Sequence, residues 1–194
     1  MTIQLSERAK QLIPLARIMS FSPWKESYSD ELIKIFQDAD NESRYLTDED
    51  LANLVKLVPS LSPSLEQAQV LRDNASTLVA KAREQVLVHF PQIMELGGAL
   101  YPPERAEACW RDFWHFLRCI TYGVAGAKPQ FTSPDGLKNM QLLYQELRVP
   151  LDAMIDGLEQ LKLFSLQPFS DEEQTQLTLY FDHLITALKQ FRTI

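Results

Sequence analysis

The sequence predicts an all-α protein. Apolar residues recur at three- and four-residue intervals nearly throughout, which is the period of a helix with one buried face. No alternating apolar and polar run marks a strand, and a hairpin-like dipeptide such as Asp135-Gly136 has no strand pattern on either side of it. Ser, Thr and Pro stand where periodic segments begin, as helix starts require. At 194 residues and 45% hydrophobic composition, the chain is long enough to bury one substantial core.

Residues 7–20 are expected to form a short helix interrupted near Pro14. A second helix starts at about Asp30, capped by Ser29, and carries Leu32, Ile33, Ile35 and Phe36 on its apolar side. Another begins after Thr47 and ends at Pro59. Ser62-Pro63 supplies an N-cap and a first-turn proline for one long helix running to Phe90, where Pro91 stops it. Gly97-Gly98 and Pro102-Pro103 break the chain before a helix that extends to about Ala125. Ser133-Pro134 opens the next, and Pro150 separates it from a helix through Met154 and Leu161. Ser170 and Glu173 form a capping box for the last. No repeat, low-complexity tract or linker divides the chain.

Composition narrows function. The net charge of -7 leaves no basic field for nucleic acid or an anionic membrane. No run approaches the roughly 20 apolar residues of a membrane span, and the first 21 residues lack the apolar stretch and cleavage site of a secretory signal, so a cytoplasmic location is expected. Cys109 and Cys119 on one helix lie about 15 Å apart along its axis, too far for a disulfide. His89, His115 and His183 show no ligand spacing near them, and no metal site is expected. Catalysis has no anchor: there is no Gly-rich phosphate loop, His-Glu-x-x-His or Gly-x-Ser-x-Gly. A haem would need His89 or His115 as its axial ligand.

The stretch Ala108–Tyr122, ACWRDFWHFLRCITY, carries the most chemical information. At about 100° per residue, Cys109, Asp112, Phe113, Phe116, Cys119 and Ile120 share one arc, with Trp110, Trp114 and Leu117 beside it. Asp112 therefore faces an apolar neighbourhood, where an ionised carboxylate is costly unless hydrogen-bonded. Two readings stay open. A local partner, such as an arginine or a backbone N–H, can satisfy it. Alternatively, an organic ligand with several N–H groups is tied to Cys109, with Asp112 accepting from its nitrogens and Arg111 meeting an acidic substituent; a linear tetrapyrrole has these groups. His115 points away from the Cys109 arc and reads as a half-exposed histidine. Trp110 and Trp114 read as core or interface anchors, and Cys119 as an inert buried thiol.

Cys109-Trp-Arg-Asp112, followed by Leu117-Arg118 and Thr121-Tyr122-Gly123, resembles the phycobiliproteins, most closely the allophycocyanin subunits. The likeness continues upstream through Asp40, Arg44-Tyr45-Leu46 and Gly97-Gly98-x-x-Tyr101. Downstream it runs through Gly136-Leu137, Leu143-Tyr144, Pro150, Ala153, Gly157-Leu158-x-x-Leu161-Lys162, Tyr180-Phe181-Asp182 and Ala187-Leu188. The resemblance implies a globin-like helical fold with extra N-terminal helices that pack on a partner subunit. It also implies a covalent linear tetrapyrrole of the phycocyanobilin type. Carried over by position, Cys109 is the thioether attachment, Asp112 the acceptor for pyrrole nitrogens and Arg111 a propionate partner, with Tyr101 and Tyr122 further pocket candidates. Asp40 and Arg118 fall at the implied subunit interface.

Some positions depart from the family pattern. Residues 1–28 precede it as an N-terminal extension to a domain spanning 29–194, and Ala99 stands where an asparagine is expected. Trp114 and His115 replace a polar residue and a tyrosine, and Ala127 or Lys128 takes the place of an aspartate. The resemblance implies a divergent bilin-binding protein for light absorption, energy transfer or photosensing. Expected partners are a phycobiliprotein-like subunit or a second copy of the chain, together with a bilin lyase; the site is the cytoplasmic face of thylakoids. The competing expectation is a chromophore-free module that binds phycobilisome components.

Overall fold

A computed structural model describes residues 5–191. Nine α-helices account for most of them: α1 (Glu7–Leu12), α2 (Asp30–Asn41), α3 (Asp48–Leu57), α4 (Ser62–Asp73), α5 (Ala75–His89), α6 (Pro103–Ala125), α7 (Pro134–Leu147), α8 (Leu151–Leu166) and α9 (Asp171–Lys189). Among the described residues there is no strand beyond one isolated antiparallel bridge, Met19 to Thr132. The all-α, globin-like expectation holds.

Local chemistry explains most boundaries. Ser29 accepts from the Leu32 N–H at the start of α2, and reciprocal capping boxes join Thr47 to Asp50 before α3 and Ser170 to Glu173 before α9. Ser133 accepts from the Gly136 N–H to start α7. At Gly97 the chain reverses with φ at +88°, a conformation a side chain resists.

Three expectations need correction. The first helix does not reach residue 20. It ends at Leu12 and passes into a 3₁₀ turn, Ile13–Leu15. Pro14 offers no donor, and the residues that follow pair with a distant loop instead: Ser20 N–H donates to the Phe131 carbonyl at 2.9 Å, and Ser133 N–H to that of Ile18 at 2.7 Å. The long helix from Ser62 to Phe90 is two helices. At Asn74 φ is -101° and ψ is 3°, and its side-chain amide donates to the Val70 carbonyl at 2.8 Å, sharing that acceptor with its own backbone N–H at 3.3 Å. Ser62 is not a cap either. A 3₁₀ turn at Pro59–Leu61 leads into α4, with Leu61 at the N-cap position.

The middle and C-terminal half of α6 form the centre of the core. Phe113, Phe116, Leu117 and Ile120 are almost wholly shielded, each contributing about 1.5–3 kcal/mol by burial. Helix α4 packs against α6, α5 against α8, and α8 against α9. The residues before α2 join this core. Trp24, fully buried in a second 3₁₀ turn (Ser22–Glu26), packs edge-on to Phe21 and Phe36, each at 5.0 Å between ring centres. A Cβ on Gly126 would sit 2.6 Å from the Trp24 ring, so that close approach depends on glycine.

Candidate functional site

Cys109 and Asp112 occupy successive turns of α6, near the point where the C-terminal end of α7 meets that helix. Arg105, one turn earlier, donates to the carbonyls of Leu147 and Arg148 and thereby fastens the end of α7 to α6. Arg148 takes up the left-handed conformation, φ +51°, that terminates α7. This docking brings Tyr144 to Asp112, and its hydroxyl donates to Asp112 Oδ2 at 2.8 Å. Phe191 lies edge-on behind Tyr144, 5.9 Å between ring centres.

The local electrostatics are unusual. Burial pushes the Asp112 carboxyl up to about 6, against the lowering effects of the Tyr144 hydrogen bond and the Arg111 charge. Burial and the neighbouring Asp112 carboxylate push the Cys109 thiol up to about 12. Tyr144 is held well above the ordinary phenol range by the same burial and the same carboxylate. Asp112 Oδ1 accepts no hydrogen bond from the described residues, and Arg111 is exposed with no ion-pair partner among them. Cys109, only 4% exposed, is a free thiol. The local partner of Asp112 is thus a hydroxyl, neither an arginine nor a backbone N–H. Tyr144 was visible in the sequence only as part of the Leu143-Tyr144 likeness; its pairing with Asp112 had no local signal.

Nine residues further along α6 lies a second polar cluster. Arg118 Nη1 meets Asp40 Oδ1 at 3.2 Å, with both residues over nine-tenths buried. The same nitrogen accompanies the Tyr122 hydroxyl, which in turn donates to the Arg44 carbonyl. Arg17, from the extension, takes the other carboxylate oxygen: its Nη2 is 2.6 Å from Asp40 Oδ2 and 3.3 Å from Asn41 Oδ1. Nothing in the sequence marked Arg17 for this role.

The other singled-out residues fall as follows. Tyr122 is fully buried beside Arg118, Phe21 and Phe36, within the second cluster. Tyr101 is 43% exposed in the loop before α6. Trp110 stacks near Phe113 beneath the Arg83 guanidinium, its buried indole N–H without a partner among the described residues. Trp114 packs edge-on to Tyr45 at 4.8 Å. His115 is half-buried; its Nδ1 lacks a partner among the described residues, and burial, Arg118 and Arg111 all lower its pKa. Cys119 is buried, its thiol pushed up to about 12. His89 Nδ1 lies 2.9 Å from Asp156, and His183 Nε2 2.8 Å from the Thr132 hydroxyl.

The profile of the phycobilisome proteins matches residues 34–188. The chain belongs to the phycobilisome protein family. As a phycobilisome protein it is a light-harvesting component rather than an enzyme. It is similar to the allophycocyanin alpha chain 2 of Microchaete diplosiphon, 30% identical over 158 residues that cover 81% of this chain and 98% of that one. Allophycocyanin alpha chains of Galdieria sulphuraria and Cyanophora paradoxa are each 31% identical over 156 residues, covering 80% of this chain and 97% of theirs. Nearly all of each relative is therefore matched, and the unmatched residues belong to this phycobilisome protein.

Proposed function

We propose that this protein carries a linear tetrapyrrole of the phycocyanobilin type, joined by a thioether to Cys109. The observation that carries the reading is the pairing of a free thiol with a carboxylate one turn away on the same face of α6, the carboxylate having one oxygen uncommitted. The donor set suits the group. Cys109 supplies the sulfur, Asp112 a hydrogen-bond acceptor for ring nitrogens, and exposed Arg111 a cation for a propionate. Tyr101, in the adjoining loop, and Tyr122 are further candidates for contact. The bound pigment supplies the conjugated system that absorbs visible light.

The protein's own contribution is to orient and to hold a proton. Tyr144 fixes Asp112 through Oδ2, so the carboxylate plane is set before any ligand arrives. A buried carboxylate stabilises a neighbouring N–H⁺ more strongly than one in water, which favours a protonated, rigid chromophore.

A thiol with its pKa near 12 is almost entirely protonated at neutral pH, so attachment is assigned to a bilin lyase rather than to unaided addition. That inertness also favours a second reading, a chromophore-free module that binds phycobilisome components. In either case the partner is another phycobiliprotein-like subunit or a second copy of this chain, at the cytoplasmic face of thylakoids, with the buried Asp40–Arg118 pair bracing the contact surface from beneath. Among the described residues no helix is long and apolar enough to cross a membrane.

The test is co-expression with a bilin-producing pathway and a lyase, with absorption recorded before and after denaturation in acidic urea. A covalent pigment lost in Cys109→Ser is expected. A colourless product, when a known biliprotein is pigmented in the same cells, rejects the first reading and leaves the second.

A further inference from the structure

The residues before α2 do more than cover the core. Where they pass α2 they leave a groove of about 400 Å³, within the range of small-molecule sites. One wall, with Arg17, Ser20, Ser22 and Lys25, comes from the extension; the other, with Gln37 and Asn41, comes from α2. The first wall lies outside the segment 34–188 that matches the family. The groove is therefore an addition peculiar to this chain's architecture, and the bilin reading does not use it.

Its charge runs against that of the molecule. The chain as a whole carries -7, yet the groove presents two cations, Arg17 and Lys25. Its single carboxylate, Asp40, already has one oxygen on Arg17 and the other on Arg118. The groove's hydrogen-bonding groups are also largely uncommitted. The Lys25 ammonium, the Ser20 and Ser22 hydroxyls and the Gln37 amide have no side-chain partner among the described residues, and Arg17 uses only Nη2. Beneath this polar rim lie Met19, Phe21 and Ile33, each less than a tenth exposed.

We propose that this groove binds a small organic anion. An oxyanion head, phosphate or carboxylate, sits against Arg17, Lys25 and the serine hydroxyls, and an apolar body lies over Met19 and Phe21. Charge-assisted hydrogen bonds from a guanidinium and an ammonium supply the affinity for the head. The apolar floor discriminates against bare inorganic anions.

The experiment is a titration of the full chain followed by amide NMR shifts at constant ionic strength, using inorganic phosphate, phenyl phosphate and benzoate as probes. Saturable shifts clustered at Ser20, Ser22 and Lys25 are expected, with an aryl-bearing probe binding about tenfold more tightly than inorganic phosphate. Whether phenyl phosphate or benzoate is the tighter identifies the head group. Lys25→Gln and Ser22→Ala, both at exposed positions, are expected to weaken binding about fivefold or more while leaving the remaining spectrum unchanged. Shifts that do not saturate, that chloride reproduces, or that persist unaltered in Lys25→Gln overturn the proposal.

Discussion

Helix α6 meets two shielded carboxylates, and they are treated in opposite ways. Asp40 sits between two guanidinium groups, Arg118 at 3.2 Å and Arg17 at 2.6 Å, so its charge is matched on both oxygens. Asp112 has one hydroxyl on one oxygen and only the through-space influence of exposed Arg111. The first arrangement locks α2, the extension and α6 together. The second leaves a carboxylate whose ionisation opposes folding, next to a thiol that it makes less reactive. Sites held at a cost to stability are where ligand chemistry is expected.

The sharpest way to break the comparison is to remove the cations of the matched cluster. Arg118→Ala leaves Asp40 buried with one partner and removes the donor to the Tyr122 hydroxyl, which keeps its own bond to the Arg44 carbonyl; a loss of about 3–5 kcal/mol is expected. Arg17→Ala removes a side chain that is 51% exposed, and about 1 kcal/mol or less is expected. Urea denaturation midpoints at neutral pH measure both. Equal losses would mean that the extension contributes as much to this clasp as α6 does.

The unmatched carboxylate predicts the opposite sign. Unfolded Asp112 loses its proton near pH 4, whereas the folded group keeps it until about 6. Between those values the folded state binds more protons, so stability falls as pH rises and then stays lowered above 6. Asp112→Asn removes that cost. Its unpigmented form is expected to be more stable than the parent by about 1–3 kcal/mol above pH 6, with no gain below pH 4. Thermal denaturation across pH 3.5–8 gives the difference. A variant less stable than its parent at pH 8 would show that the Tyr144 hydrogen bond outweighs desolvation.

The two clusters also differ in how far they could be read from the sequence. The Cys109 arc was legible because helical periodicity places residues three and four apart on one face, and the ordered caps fixed the neighbouring helices. The partners were not, because Tyr144 reaches Asp112 across 32 positions and Arg17 reaches Asp40 across 23. Periodicity carries no information about which helices meet. The break at Asn74 escaped because its apolar period runs on unbroken while the side chain competes for a backbone carbonyl. The departure at Ala127-Lys128, by contrast, acquires a physical account: Lys128 Nζ lies 2.7 Å from Ser27 Oγ and 5.1 Å from the Tyr28 ring centre, and Tyr28 donates to the Gly126 carbonyl at 2.8 Å. Lys128 is thus a contact point for the extension, so the extension and the altered end of α6 form one structural feature.

The smallest effect compares the two cysteines directly. Both thiols are pushed up to about 12, mainly by burial, but only Cys109 owes part of its shift to Asp112. Alkylation of each, followed by mass spectrometry, should be much slower at pH 8 than for an exposed thiol, since burial both disfavours the thiolate and limits access to it. In Asp112→Asn the Cys109 rate is expected to rise several-fold while that of Cys119 is unchanged. The gain should shrink below pH 6, where the parent carboxyl is already neutral. Equal acceleration of both thiols would point to general loosening of α6. Acceleration confined to Cys109 would show that Asp112 restrains the attachment sulfur electrostatically, so that whatever enzyme loads the pigment has to neutralise or displace that charge.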